Sequence, residues 1–333
     1  MEMTMYCVAI VTAAVITGIL GKFMIPFLRR LKFGQTIREE GPTWHAAKQG
    51  TPTMGGLMFL IGGYAAAIIC IAFVWMHGGV ENQLMVVKVV GGLLMALGFC
   101  FIGFMDDYIS IKKKRNLGLT EIQKLVLQFV IAGAYLFSVT LAGGTTETLI
   151  PFVGLVDLGW FYYVLAALLI VGMVNAVNFT DGLDGLNSSV TLVVCLAFSV
   201  IAVTLEMSGL SVFAAAMVGA LIGFLYWNAN PAKVFMGDTG SLFLGGIVCA
   251  LAFGVNMPIL LPLMGIIYIA EILSVVLQVS YFKLTHGKRI FKMSPIHHHF
   301  EMCGWKENKV CFVFSGVTLL ACVLAVLLVR FGV

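Results

Sequence analysis

Residues 188–228 read SSVTLVVCLAFSVIAVTLEMSGLSVFAAAMVGALIGFLYWN, with Glu206 as their one formal charge. A helix needs about 20 apolar residues to cross the hydrocarbon core of a bilayer. This stretch holds two such helices joined by a tight hairpin at Ser208-Gly209. The rest of the chain has the same character. Of 333 residues, 60% are hydrophobic and 11% charged, and mean hydropathy is +1.02. An ordinary soluble domain is roughly 25% charged. So few charges cannot cover a water-facing surface, which excludes a soluble domain, a disordered chain, a coiled coil and a soluble nucleic-acid binder.

Working outward in both directions, the apolar runs predict ten spans, at 3–28, 54–76, 84–105, 122–142, 158–177, 188–207, 210–228, 239–257, 259–282 and 310–329. Short loops join them into a single all-α, polytopic domain covering 1–333, without a separate soluble domain. The first run is read as a retained span: Glu2 and no Lys or Arg precede it, and it is too long for a signal-peptide core. The ninth begins at Pro258 and contains Pro262 and Gly265, so a kink or break is expected there. The eight cysteines form no C-x-x-C pair, and seven sit in or beside apolar runs, as packing thiols do.

The loops are unequal. Segments 29–51, 106–124, 178–187, 229–238 and 283–309 carry 17 of the 20 Lys and Arg residues, whereas the other side has Lys88 and Arg330. Positive charge marks the cytoplasmic side, so these loops are expected inside and both termini outside. The net charge of +4 reports this orientation rather than an acidic partner. Asp106, Asp107, Asp181, Asp184, Asn228, Asp238 and His297–His299 all fall on the basic side. A carrier places its polar groups near the midplane; gathering them at one face favours an enzyme drawing on a soluble cytoplasmic substrate.

Several clusters bear chemistry. Asp106-Asp107 closes the third span, where paired carboxylates are costly unless neutralised. Either they pair with the following Lys112, Lys113, Lys114 and Arg115, or they serve a hard divalent cation with substrate phosphates. Between Asn178 and Asp184, the dense Asp/Asn/Gly loop offers N–H groups to phosphate and acceptors to a base or ribose. Asp238 opens a helix beside Thr239 and Ser241, as a cap or as a metal carboxylate, and Phe235 can stack a base. His297-His298-His299 are too close in sequence to converge easily on one ion, but imidazoles make good donors to phosphate. Lys48-Gln-Gly-Thr-Pro-Thr-Met-Gly-Gly56 is a basic, Gly-rich entry to the second span. Glu271 is an intramembrane carboxylate and so a functional candidate; a buried pair with a hydroxyl or Lys88 accounts for it equally, and it is left outside the expected site.

Taken in order, Lys48–Gly56, Met105-Asp-Asp-Tyr108, Asn175-Ala-Val-Asn-Phe-Thr-Asp-Gly-Leu-Asp-Gly-Leu186, Val234-Phe-Met-Gly-Asp-Thr-Gly-Ser-Leu242 and Pro295-Ile-His-His-His-Phe-Glu301 resemble the phospho-N-acetylmuramoyl-pentapeptide transferase family of the polyprenyl-phosphate N-acetylhexosamine-1-phosphate transferases. The resemblance implies ten helices and transfer of a phosphosugar from UDP-N-acetylmuramoyl-pentapeptide to undecaprenyl phosphate, releasing UMP and forming lipid I. It implies Mg²⁺ as cofactor with Asp238 as ligand, and Asp106 and Asp107 acting on the lipid phosphate and pyrophosphate. Lys48, Thr53, Asn178, Asp181, Gly182, Leu183, Asp184, Asn228, Phe235 and Gly237 match nucleoside or phosphate positions. His297 matches a catalytic position, with His298 and His299 beside the substrate. Where many members carry a lysine three residues after the second Asp, Ser110 stands here, so Lys114 is carried over as one of three candidates for the pyrophosphate contact. The bilayer is the other partner; a homodimer is left open and no nucleic acid is expected.

The lipid phosphate is already an anionic nucleophile, so the harder task is bringing two anions together, which Mg²⁺ and lysines ease. A one-step attack with Asp106 or Asp107 as base or orienter is preferred; a two-step route through Asp107 stays open. The rivals are a relative using UDP-N-acetylglucosamine and a nucleotide-sugar carrier.

Overall fold

The computed structural model describes residues 2–31, 48–77, 82–113 and 118–333. Ten of its helices are long and apolar enough to cross a membrane: α1 (Glu2–Arg30), α2 (Gly56–Met76), α3 (Gln83–Lys113), α4 (Glu121–Leu141), α5 (Phe161–Phe179), α6 (Leu186–Thr204), α7 (Ser208–Asn228), α8 (Gly237–Gly254), α10 (Ile266–Leu284) and α12 (Glu307–Gly332). Two short helices, α9 (Leu260–Met264) and α11 (Ile296–Met302), and an antiparallel hairpin of β1 (Glu147–Ile150) and β2 (Gly154–Asp157) complete the described elements. The protein is a multi-pass, all-α membrane protein.

Helices α7 and α8 are the most enclosed spans, whereas α1, α10 and α12 turn most of their apolar surface outward. Phe23, Phe312 and Leu320 are exposed, which suits contact with lipid rather than water. Gly219 and Gly223 set α7 against α1: a Cβ on Gly219 would lie 2.0 Å from the Ile10 carbonyl oxygen, and one on Gly223 2.5 Å from that of Ala14. Small residues at such a spacing let two membrane helices touch through their backbones.

The sequence ends the third span at 105, but α3 runs on to Lys113, so Asp106 and Asp107 lie within its last turns. The reason is neutralisation. Both carboxylates find donors on neighbouring elements, and Lys112 and Lys113 at the helix end complement its dipole. The hairpin and α11 have no apolar run long enough to announce them. Backbone bonds from Leu149 to Asn256 (3.0 Å) and from Phe152 to Gly332 (2.9 Å) fix the hairpin at the far ends of α8 and α12. The polar clusters meet at the opposite end, around the start of α8.

Candidate active site

The site is assembled around Gly237, where α8 begins. Gly237 has φ +70°, and a Cβ there would lie 2.5 Å from Asp107 Oδ2 and 2.6 Å from Thr53 Oγ1. Only glycine gives both the conformation and the room. Backbone bonds strap the entry to α2 onto the same turn: Phe235 N donates to Pro52 O (2.8 Å), Gly55 N to Phe235 O (2.8 Å) and Gly56 N to Met236 O (3.1 Å). Lys48-to-Gly56 and Val234-to-Leu242 are therefore two sides of one structure.

Asp107 supplies what the start of α8 lacks. Its Oδ2 accepts from Thr239 N (2.9 Å) and Thr239 Oγ1 (2.6 Å), and its Oδ1 from Asp238 N (3.3 Å). The first N–H groups of a helix have no intrahelical partner, and a carboxylate from α3 satisfies them. The cap considered for Asp238 is thus provided by Asp107, and the Asp238 carboxylate points elsewhere. Its Oδ1 accepts from Asn178 Nδ2 (3.0 Å), which also donates to Ser241 Oγ (2.7 Å). Its Oδ2 lies 3.6 Å from Lys124 Nζ.

Lys124, which the sequence reading counted only as a loop charge, also stands 3.7 Å from Asp106 Oδ1 and 3.4 Å from Glu121. A capping box starts α4 and puts this lysine in its first turn: Thr120 Oγ1 accepts from Gln123 N, and Gln123 Oε1 accepts from Thr120 N. Asp106 is buried and also accepts from Leu119 N (2.9 Å). Among the described residues the partners of the acidic pair are Lys124 and the start of α8. Lys112 instead lies over the Tyr108 ring, and Lys114 falls outside the described residues.

The Asn178–Asp184 loop forms the next wall. Burial, then the carboxylates of Asp238, Asp107 and Asp184, push the Asp181 carboxyl well above its ordinary range. Asp184 is a staple: Oδ1 accepts from Lys48 Nζ (2.7 Å), and Oδ2 from Asn230 Nδ2 (3.1 Å) and Ala232 N (2.9 Å). Lys48 also donates to Glu307 (2.6 Å) at the start of α12, a residue the sequence did not single out. Asn228 is spent internally, accepting from Ser188 Oγ and donating to Val234 O. Leu183 is buried in the core, so its side chain anchors the loop rather than offering a ligand surface. Phe235 is half-buried, and Thr53 is buried beside Gly237.

The three histidines diverge, as successive residues of a helix must. His297 turns inward, with Nδ1 3.0 Å from Glu271 Oε2. His298 Nδ1 pairs with Glu301 (2.7 Å), and His299 Nδ1 accepts from Lys292 N (3.1 Å). A Cβ on Gly182 would lie 2.1 Å from His297 Nε2, so the His297 ring packs directly against the Asp181–Gly182 turn. The pairing of Glu271 with Lys88 that the sequence allowed is not formed; its partner is His297.

No three His, Cys, Asp or Glu side chains among the described residues gather into a closed metal cage. Magnesium does not need one: it binds through one or two carboxylates and completes its shell with water and substrate phosphates. Four carboxylates crowd the start of α8, enough to drive up Asp181, with Lys124 as the cation bridging Asp106 and Asp238. This donor set fits a divalent cation that arrives with phosphate.

Residues 89–256 match the Glycosyl transferase family 4, and residues 48–60 match phospho-N-acetylmuramoyl-pentapeptide-transferase signature 1. The phospho-N-acetylmuramoyl-pentapeptide-transferases of Bacillus anthracis (strain A0248), Bacillus thuringiensis (strain Al Hakam) and Bacillus cereus (strain AH187) are each 48% identical to the chain over 321 residues, covering 95% of it and 96% of the relative. The matched signature is the strand of sequence strapped to the start of α8, and the chain belongs to the phospho-N-acetylmuramoyl-pentapeptide-transferase family.

Proposed function

We propose that the protein transfers phospho-N-acetylmuramoyl-pentapeptide from its UDP-linked form to undecaprenyl phosphate, releasing UMP and giving lipid I. The observation that carries this reading is the convergence of Asp106, Asp107, Asn178, Lys124 and Asp238 on one helix start, in a chain of this family. Such a site suits the union of two phosphate anions. Lys124 offsets negative charge between Asp106 and Asp238. Asn178 holds one oxygen of Asp238 and thereby orients the other. Asp107 has both oxygens engaged by α8, which favours an orienting role over that of a nucleophile and so favours one-step attack by the lipid phosphate. The Lys48–Asp184–Glu307 staple holds the loop wall against α12.

Asp238 is the proposed Mg²⁺ ligand. The ion, when bound with the substrate phosphates, supplies charge neutralisation at the pyrophosphate and at the departing UMP. The cytoplasmic face is proposed for the site because the basic loops gather there. Selection of the peptide-bearing sugar over UDP-N-acetylglucosamine is assigned to the α11 histidines.

The test is UMP release from UDP-N-acetylmuramoyl-pentapeptide in the presence of undecaprenyl phosphate and Mg²⁺. Asp238→Asn keeps the acceptor for Asn178 but removes the charge, and should lower turnover by about 10²–10³-fold. Chelation should silence the wild type, and added Mg²⁺ should rescue the wild type alone. Near-normal Mg²⁺-dependent turnover by Asp238→Asn overturns the metal assignment. Movement of UDP-sugar across sealed vesicles without UMP or lipid-linked product overturns the transferase reading itself.

A further inference from the structure

Glu271 is 0% exposed in the middle of an apolar helix, and His297, on the short helix α11, is 1% exposed. Glu271 Oε2 receives both the Nδ1 edge of the His297 ring (3.0 Å) and its backbone N–H (3.4 Å). A carboxylate oxygen can accept from a ring N–H, so this contact suits the tautomer that carries its proton on Nδ1. The other ring nitrogen, Nε2, is buried without a hydrogen-bond partner. It is aimed at Gly182, next to Asp181. A buried polar atom without a partner is costly and uncommon in a native fold. Here a second buried polar residue holds it in that position.

We propose that Glu271 is a positioning residue. It fixes the orientation and tautomer of His297, so that the Nε2 lone pair meets an N–H or O–H donor of the UDP-linked substrate at the Asp181–Gly182 turn. This rests on the transferase reading above. The logic is that of a carboxylate behind a working imidazole: the acid touches no substrate but decides which nitrogen is free and where it points. It also accounts for a carboxylate inside the ninth span, where a charge otherwise has no business. Glycine at 182 belongs to the same device, since any side chain there would displace the ring.

The experiment is a double-mutant cycle on the full-length protein in detergent, with Glu271→Gln, His297→Gln and both together. Each is assayed for UMP release against UDP-N-acetylmuramoyl-pentapeptide and against undecaprenyl phosphate. Glu271→Gln should lower kcat/KM for the UDP substrate by about 10–100-fold. The KM for the lipid phosphate should stay within about twofold. Because Glu271 acts through His297, the double variant should be no slower than His297→Gln within about twofold. A purely structural role for Glu271 gives additive losses instead, and that result, or a Glu271→Gln turnover above half of wild type, overturns the assignment. Should Glu271→Gln fail to purify, ¹⁵N spectra of ring-labelled wild type, with His297→Gln identifying the signal, decide the matter. A neutral ring protonated on Nδ1 is expected, and one protonated on Nε2 refutes the proposal. A wild type that releases no UMP sinks the transferase reading, whereas normal wild-type turnover with additive losses sinks the Glu271 assignment alone.

Discussion

Replacing Asp107 by Asn separates a carboxylate that builds the site from one that works in it. Asp107 takes three donors from the first turn of α8. An Asn keeps one carbonyl oxygen, enough for the Thr239 pair, but turns an NH₂ group toward the Asp238 N–H. One hydrogen bond to a charged group is lost, worth about 1.5–3 kcal/mol. The favourable charge at a helix N-terminus goes too, worth about 0.3–1 kcal/mol. Relief of repulsion with neighbouring carboxylates returns about 1 kcal/mol. The net loss is about 2 kcal/mol, or a fall of about 3 °C in the unfolding midpoint for a chain of this length. Asp238→Asn is the control. It retains an acceptor for Asn178 and loses a 3.6 Å, partly exposed pair with Lys124, worth less than about 1 kcal/mol. Both variants should lose UMP release, but thermal unfolding of the purified proteins should show Asp107→Asn clearly below Asp238→Asn. Equal midpoints would refute the claim that Asp107 caps α8, and would return it to the set of residues acting on substrate alone.

Two other measurements bear on the wall of the site. Burial alone would lower the Lys48 pKa, but its hydrogen bonds and ion pairs with Asp184 and Glu307 raise it above 10.5. Its contribution to stability is therefore complete at neutral pH and fades only as pH rises through the raised value. Lys48→Ala leaves two carboxylates facing each other and should cost about 1–3 kcal/mol, discounted for partial exposure. Adding Glu307→Gln should recover part of that in the same unfolding assay, and no recovery would break the staple argument. Asp181 carries the opposite signature: a carboxyl pushed upward binds its proton tightly, so protons compete with a cation for this cluster. The Mg²⁺ concentration for half-maximal UMP release should rise as pH falls from about 8 to about 6, and Asp181→Asn should flatten that dependence. A wild-type requirement that does not move with pH would contradict the crowding.

The ten spans were legible because twenty-residue apolar runs have one physical use. Even the α6–α7 hairpin at Ser208-Gly209 reads directly from the quoted stretch, since α6 ends at Thr204 and α7 starts at Ser208. What periodicity could not carry was the origin of partners. Four basic residues follow Asp106 and Asp107, and proximity in sequence offers pairing with them as one of two readings. Among the described residues the fold supplies Lys124, one helix on, because the capping box at Thr120 sets it at the helix end facing α8. Glu307 lies in the basic 283–309 loop with nothing in the sequence to single it out, and only the return of α12 to the site makes it a partner of Lys48. Glu271 was recognised as costly, but its partner lies 26 residues away across a loop with no hydrophobic pattern to place it. Asn228 and Leu183 also have structural work that the sequence does not announce. The resemblance matches them to nucleoside or phosphate positions, and the fold also uses their side chains to hold the motif together.

The start of α8 explains why so many of these groups share one address. A helix N-terminus presents unpaired N–H groups and partial positive charge, which favour anions. In most helices a residue of the same segment meets that demand, but here the N-cap position is Met236, whose side chain makes no such bond. The demand is met instead by Asp107, on a helix that approaches closely because residue 103 is glycine: a Cβ there would lie 2.1 Å from the Asp238 carbonyl oxygen. The bonds that satisfy α8, together with the close approach at Gly103, therefore fix the spacing between Asp107 and Asp238. Replacing Gly103 by Ala should then act at a distance on both carboxylates. It would push α3 from α8, lengthen the Asp107–Thr239 bonds, and lower UMP release and the unfolding midpoint together, although residue 103 carries no polar atom beyond its backbone. If Gly103→Ala melts and turns over like wild type, the helix contact is not what sets the site.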